Sequence, residues 1–133
     1  MTRAFVVARF VVAPVGPLEA ELRGRSGRVL SLGSGLCMLE RYLAVQNPNL
    51  EFVGIDLDED KVALIAETRH RSPRVTLRLG DATAIDEPAM YDTVLICDAL
   101  HHFPAEMHAR VAQSVAAALV PDGRVIVKDL DVA

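Results

Sequence analysis

Gly33, Ser34 and Gly35 interrupt a short apolar run, Val29 to Leu32, and lead straight into a helical pattern at Leu36, Leu39, Tyr42 and Leu43. Residues without a Cβ let such a turn fold tightly and bring backbone amides against a ligand, while the helix behind it points its positive end the same way. The chemistry this predicts is nucleotide binding, against the alternative of a purely structural turn. Asp56 closes a second apolar run 23 positions after Gly33, close to the roughly 20-residue offset at which an acidic residue takes up ribose hydroxyls. Asp58, Glu59 and Asp60 beyond it read as helix capping and solvation. Asp81, in Gly80-Asp81-Ala82, is a carboxylate that could cap a turn or accept from an adenine amino group. Asp98-Ala-Leu-His101-His102-Phe103 follows a further apolar run, and histidine is the side chain suited to exchanging protons near neutral pH. His101 and His102 are therefore candidates for a base or an acceptor-orienting group. The competing reading is a helix-entry turn with one histidine partly buried; His70 and His108 read as ordinary surface residues.

These positions need a scaffold that presents several strand ends at one edge. Five runs read as strands: Val29–Leu32, Leu50–Ile55, Val75–Leu79, Thr93–Cys97 and Arg124–Lys128. The third alternates apolar with polar and fits an edge; the fourth is continuously apolar and fits the interior. Helices are expected between them: Leu36 to Val45, stopped by Asn47-Pro48; one with Val62, Ile65, Ala66 and Arg69 on one face; and one entered through Pro104 with Met107, Val111, Val115, Ala118 and Leu119. Pro121-Asp122-Gly123 turns the chain into the fifth strand. The fold class is α/β, a Rossmann-like doubly wound parallel sheet in order 3-2-1-4-5. Residues 1–27 precede it as a helical segment, with an amphipathic helix at Phe5, Val6, Phe10 and Val11 and a short helix over Pro17 to Leu22. Residues 28–133 form the core of what is one domain overall.

Composition narrows the partners. At 133 residues and 51% hydrophobic, the chain suits strands buried on both faces. Its net charge of −4, with scattered arginines, supplies no basic stripe for nucleic acid. Cys37 and Cys97 lack metal-ligand spacing, so no metal is expected, and they read as reduced core thiols of a cytoplasmic protein. Arg9 breaks the N-terminal apolar run, and no stretch reaches membrane-spanning length.

Taken together, residues 28 to 129 resemble class I S-adenosylmethionine-dependent methyltransferases of the small-molecule branch, methyltransferase domain types 11, 12 and 25. Val29 to Cys37 resembles the glycine-rich first motif, Gly54-Ile-Asp56-Leu57 the ribose-binding acidic motif and Gly80-Asp81-Ala82 the adenine-contacting motif. Tyr91-Asp92 through Phe103 is similar to the fourth-strand motif, and Leu119 to Val125 to the turn into strand five. The resemblance implies S-adenosylmethionine as cofactor. Gly33, Ser34 and Gly35 would approach its methionine and ribose portions, Asp56 would accept the ribose hydroxyls, and Leu57 would pack on the adenine. Asp81 and the Ala82 amide would read the adenine edge, and Asp98 would lie beside the sulfonium facing a small-molecule acceptor.

The chain departs from the family pattern in having Ser31 where the family has an acidic residue, Cys37 where it has a third glycine, and Asp122 for another glycine. The family's C-terminal antiparallel hairpin is not encoded here. Strand five would then be an open edge with Val125, Ile126 and Val127, so homo-oligomerisation through it, or a longer parent protein, is expected. Two other readings stand beside methyl transfer: a truncated or non-catalytic cofactor-binding domain, and a nicotinamide-dependent dehydrogenase. Cys37 and Met38, where the final glycine of a GxGxxG turn would fall, weigh against the last.

Overall fold

β1 (Gly27–Leu32) lies at the centre of a five-stranded sheet, which explains why its last four residues are all buried. It pairs in parallel with β2 (Leu50–Asp56) on one side and β4 (Tyr91–Cys97) on the other. β3 (Val75–Leu79) extends the sheet beyond β2 and β5 (Leu119–Lys128) beyond β4, both parallel, in the order 3-2-1-4-5. The computed structural model describes residues 15–33, 35–67 and 72–129. The expected N-terminal helix around Phe5 to Val11, Ser34, Arg69 and His70 lie outside the described residues.

The strand register decides which residues meet at one edge. Leu32 pairs with both Ile55 and Ile96, so β1, β2 and β4 end level and release Gly33, Asp56 and Asp98 at one edge. Alternation along each strand divides the core between the two faces. Val29, Phe52 and Leu95 pack beneath α1 (Val15–Leu22), α2 (Met38–Gln46) and α3 (Glu59–Glu67). Leu30, Val53, Val94 and Ile96 pack under α4 (His108–Ala118), through Val111, Val115 and Ala118. Among the described residues no helix is long and apolar enough to cross a membrane.

Several boundaries differ from expectation for identifiable reasons. β5 begins at Leu119 rather than Arg124: Leu119 pairs with Tyr91 and Arg124 with Thr93, so Pro121 to Gly123 bulge from the ladder, where a residue without an N–H is tolerated. α2 starts at Met38 rather than Leu36 because Cys37 is left-handed, at φ 60°. In α3 Ile65 is buried and Val62 packs partly, but Ala66 is exposed. Pro104 opens a single 3₁₀ turn, Ala105–Met107, before α4, and Leu119 already belongs to β5. Asp58 caps α3 as expected, its Oδ1 accepting from the amides of Asp60 at 2.9 Å and Lys61 at 3.3 Å.

Arg74, at the mouth of β3, fastens the far end of α2. Its guanidinium donates to the carbonyls of Ala44 (2.6 Å), Asn47 (3.0 Å) and Leu50 (2.6 Å). Terminal helix carbonyls have no partner within the helix, so an outside donor is needed. Arg74→Met, which keeps the stem and removes the donors, is expected to lower stability by about 2 kcal/mol, the range of a charge-assisted hydrogen bond. A urea midpoint that falls at constant slope would show it.

Candidate cofactor site

The turn after β1 places left-handed backbone at Gly33 (φ 69°), Gly35 (φ 57°) and Cys37 (φ 60°). At Gly33 the turn runs against the chain leaving β4: an added Cβ would sit 2.5 Å from the Ala99 Cβ. Cys37 carries a side chain where its backbone favours glycine, at roughly 1–2 kcal/mol, and its thiol is wholly buried. Cys97 is buried too, and desolvation pushes its thiol up to about 12, so both cysteines are packing groups rather than nucleophiles.

Beside this turn, at the carboxyl edge of the sheet, lies a cavity of about 240 Å³. Gly33, Asp56, Leu57, Asp81, Ala82 and His102 all line it, together with Leu32, Ile55, Gly80, Ala99 and Phe103. Four strand ends thus bring together residues separated by up to 71 positions in the chain, from Leu32 to Phe103. Asp56 accepts the Asp58 amide on Oδ1 at 2.8 Å, and its Oδ2 stands 4.0 Å from the Lys61 Nζ. The free lone pairs of Oδ2 remain for a ligand hydroxyl. Leu57 is 70% exposed and contributes an apolar side chain to the lining. Asp81 does cap a turn: Oδ1 accepts from the Thr83 amide (2.9 Å) and hydroxyl (2.8 Å), which lower its carboxyl below the ordinary range.

The family profile of the methyltransferase domain matches residues 30–125, the span of β1 to β5 that builds this cavity. The chain belongs to the methyltransferase domain family. No curated protein matches the sequence. Among solved structures, the methyltransferase domain is similar to a protein of Pyrococcus horikoshii OT3, with TM-score 0.74 and 24% identity over 94% of this chain and 63% of that one. The glycopeptide N-methyltransferase MtfA gives 0.72 and 21% over 84% of this chain and 50% of its own. The cyclase SpnF gives 0.72 and 23% over 84% and 42%. At these identities the likeness is one of fold, and this chain spans less than two thirds of each neighbour's length.

Not every expected site residue of the methyltransferase domain lines the cavity. Gly35 shapes the turn without lining it. Asp98 is left-handed, at φ 51°, and is tied to the end of β5: its carboxylate accepts from the Lys128 Nζ at 3.2 Å and its backbone amide donates to the Lys128 carbonyl at 2.6 Å. His101 also stands off the lining, but it is held: Nδ1 is 2.6 Å from Oδ1 of Asp129, and its backbone amide donates to Oδ2 at 3.2 Å. An ionised carboxylate only accepts, so Nδ1 is the donor in this pair, and in the neutral ring that assigns the lone pair to Nε2. The His102 ring lies 4.0 Å from that of His101. His108 is not simply a surface group, since Nε2 reaches the carbonyls of Leu100 (3.0 Å) and Phe103 (3.1 Å) and ties down the loop between them.

Sequence reasoning missed two acids. Asp129, 4% exposed, follows β5 directly and meets His101 across 28 residues. Glu40, in the first turn of α2, is 1% exposed; the Ser31 hydroxyl donates to its Oε2 at 2.5 Å, while Oε1 has no hydrogen-bond partner among the described residues. Burial raises the Glu40 carboxyl above its ordinary range, against the lowering effect of the Ser31 hydrogen bond. The one available signal was the loss of the family's acid at Ser31.

A larger depression, about 570 Å³, lies at the opposite edge, lined by Arg23, Arg25, Asp92 and Asp122. It sits at the amino ends of β1, β4 and β5, whereas parallel α/β sheets bind ligands beyond the carboxyl ends.

Proposed function

We propose that the chain binds S-adenosylmethionine at the carboxyl-edge cavity and transfers its methyl group to a small-molecule acceptor. The observation that carries this is the meeting of Asp56, Leu57, Asp81 and Gly33 around one cavity. The donor set suits the ligand: a half-satisfied carboxylate for two ribose hydroxyls, an exposed leucine for the adenine face and a glycine turn for close backbone approach. When bound, the cofactor supplies a methyl made electrophilic by its sulfonium. The chain's part is to hold that group in line with the acceptor and keep water out. Asp56 fixes the ribose, Leu57 and the Ala82 amide the adenine, and Phe103 and Ala99 wall the side facing β4.

For acceptors that must lose a proton, His101 is the base. Asp129 holds its ring by Nδ1, which in the neutral imidazole leaves Nε2 the lone pair that a positioned base requires. Nitrogen-15 NMR at a pH where the ring is neutral is expected to show the Nδ1–H tautomer for His101, and Asp129→Ala to convert it to the tautomer free imidazoles favour. An unchanged tautomer in the variant would remove Asp129 from this role.

The function is tested by calorimetric titration with S-adenosylmethionine, S-adenosylhomocysteine and NAD. Heat from the two sulfur ligands and none from NAD is the expected result. Silence towards both sulfur ligands would overturn the reading, and binding without transfer to any acceptor would favour a cofactor-binding domain without catalysis.

A further inference from the structure

We propose that Glu40 is the anionic anchor for the aminoacyl end of S-adenosylmethionine, doing from α2 what a strand-borne acid would do from position 31. This rests on the cofactor reading above. The buried acids at this edge differ in what they do. Asp129 spends both oxygens on His101. Glu40, 1% exposed, spends Oε2 on the Ser31 hydroxyl and leaves Oε1 buried with no hydrogen-bond partner among the described residues. An orphaned buried carboxylate oxygen opposes folding unless something supplies a donor or a countercharge.

Position says what that is. Ser31 lies two residues before Gly33, and Glu40 lies in the first turn of the helix that leaves the glycine turn, so the pair joins the two ends of that turn from behind. Along the cavity, Leu57, Asp81 and Ala82 take the adenine side at β2 and β3, and Asp56 the ribose. The lining of the cavity, about 240 Å³, continues from these residues to Leu32 and Gly33 at the end of β1. A ligand with its nucleoside at Asp56, Leu57 and Asp81 would carry the remainder from the ribose towards β1 and the glycine turn. That remainder carries an ammonium. A donor-rich cation arriving beside a carboxylate in low dielectric is strongly attracted, directly or through one bridging water.

The test compares S-adenosylhomocysteine with 5′-methylthioadenosine, which keeps the nucleoside and thioether and lacks the amino acid. Glu40→Gln keeps the size of the side chain and an acceptor for Ser31, and, having no charge to desolvate, is expected to melt no lower than the wild type. It should weaken S-adenosylhomocysteine by about tenfold or more, the loss of one charge-assisted hydrogen bond, and leave methylthioadenosine within about twofold. Adding Ser31→Asp should restore most of the loss, because it returns a charge to the same place.

Equal weakening of both ligands would mean that Glu40 only fastens the turn, and no weakening of either would mean that the ammonium lies elsewhere; each overturns the proposal. If the wild type binds neither ligand, the cofactor reading falls first and the anchor with it. Should Glu40→Gln fail to fold, Ser31→Asp/Glu40→Thr is read instead. Wild-type affinity for S-adenosylhomocysteine supports a charge that can be relocated, and loss confined to that ligand overturns it.

Discussion

Asp56→Ala is expected to weaken S-adenosylhomocysteine binding by about a hundredfold. Two hydroxyl bonds to a charged acceptor contribute about 1.5 kcal/mol each, and about 3 kcal/mol corresponds to that factor. The fold should survive, because Asp56 is the terminal residue of β2 and its one described amide contact is the local turn to Asp58. Loss of that turn contributes about 1 kcal/mol, a shift of a few degrees in melting temperature. Asp56→Asn separates the effects, since it keeps a neutral acceptor for the Asp58 amide and gives up the charge; it should bind between the two. Calorimetric titration beside a thermal melt reads both quantities. Undiminished affinity in Asp56→Ala would place the ribose somewhere other than the end of β2.

Gly33→Ala should be the most destabilising small substitution at this edge, by roughly 2–5 kcal/mol. One part is the backbone: at φ 69° a Cβ is disfavoured by about 1–2 kcal/mol. The other is contact, since the new methyl would stand 2.5 Å from the Ala99 Cβ, with the Ala99 Cα at 3.4 Å and the Cys97 carbonyl at 3.5 Å; overpacking of this kind costs about 1–3 kcal/mol. Gly35→Ala serves as the control. It has a similar φ of 57° but open space around the added methyl, so it should show the backbone part alone. Against a total stability of about 5–15 kcal/mol for a domain of this kind, Gly33→Ala would sit near the margin. Urea unfolding of both variants, with Gly33→Ala/Ala99→Gly to recover the contact part, measures the split. Equal losses at the two glycines would mean that the turn does not press on the β4 exit.

Both predictions concern residues that stood out in the bare sequence, for local reasons. An apolar run broken by two glycines is a strand followed by a turn whose backbone must go left-handed, and an aspartate ending the next run stands at a strand's carboxyl end whatever lies around it. Periodicity likewise separated the alternating edge strand β3 from the continuously apolar β4, and the observed burial follows it. The same local rules placed the start of β5 at Arg124, after the Pro121–Gly123 turn, and missed the earlier pairing of Leu119 with Tyr91, because a ladder interrupted by a looped-out segment leaves no local periodicity to read.

What tertiary structure alone decided is which polar groups meet. Glu40 stands in a mixed stretch, Leu39-Glu40-Arg41-Tyr42, with no local sign that it is buried; its burial comes from α2 packing on the sheet, with the Ser31 hydroxyl of β1 against its carboxylate. Asp129 and His101 belong to different loops, and their hydrogen bond exists because Cys97 is paired with Lys128, which levels the ends of β4 and β5. Asp98 reaches the correct edge on sequence grounds, yet a left-handed residue there turns it to Lys128 instead of the cavity. The sequence by itself determined the elements, their order and the edge at which the cavity opens, because those follow from local periodicity and turn chemistry. The partners of Glu40, His101 and Asp98 depend on register and on helix placement over the sheet, which arise only when distant segments pack.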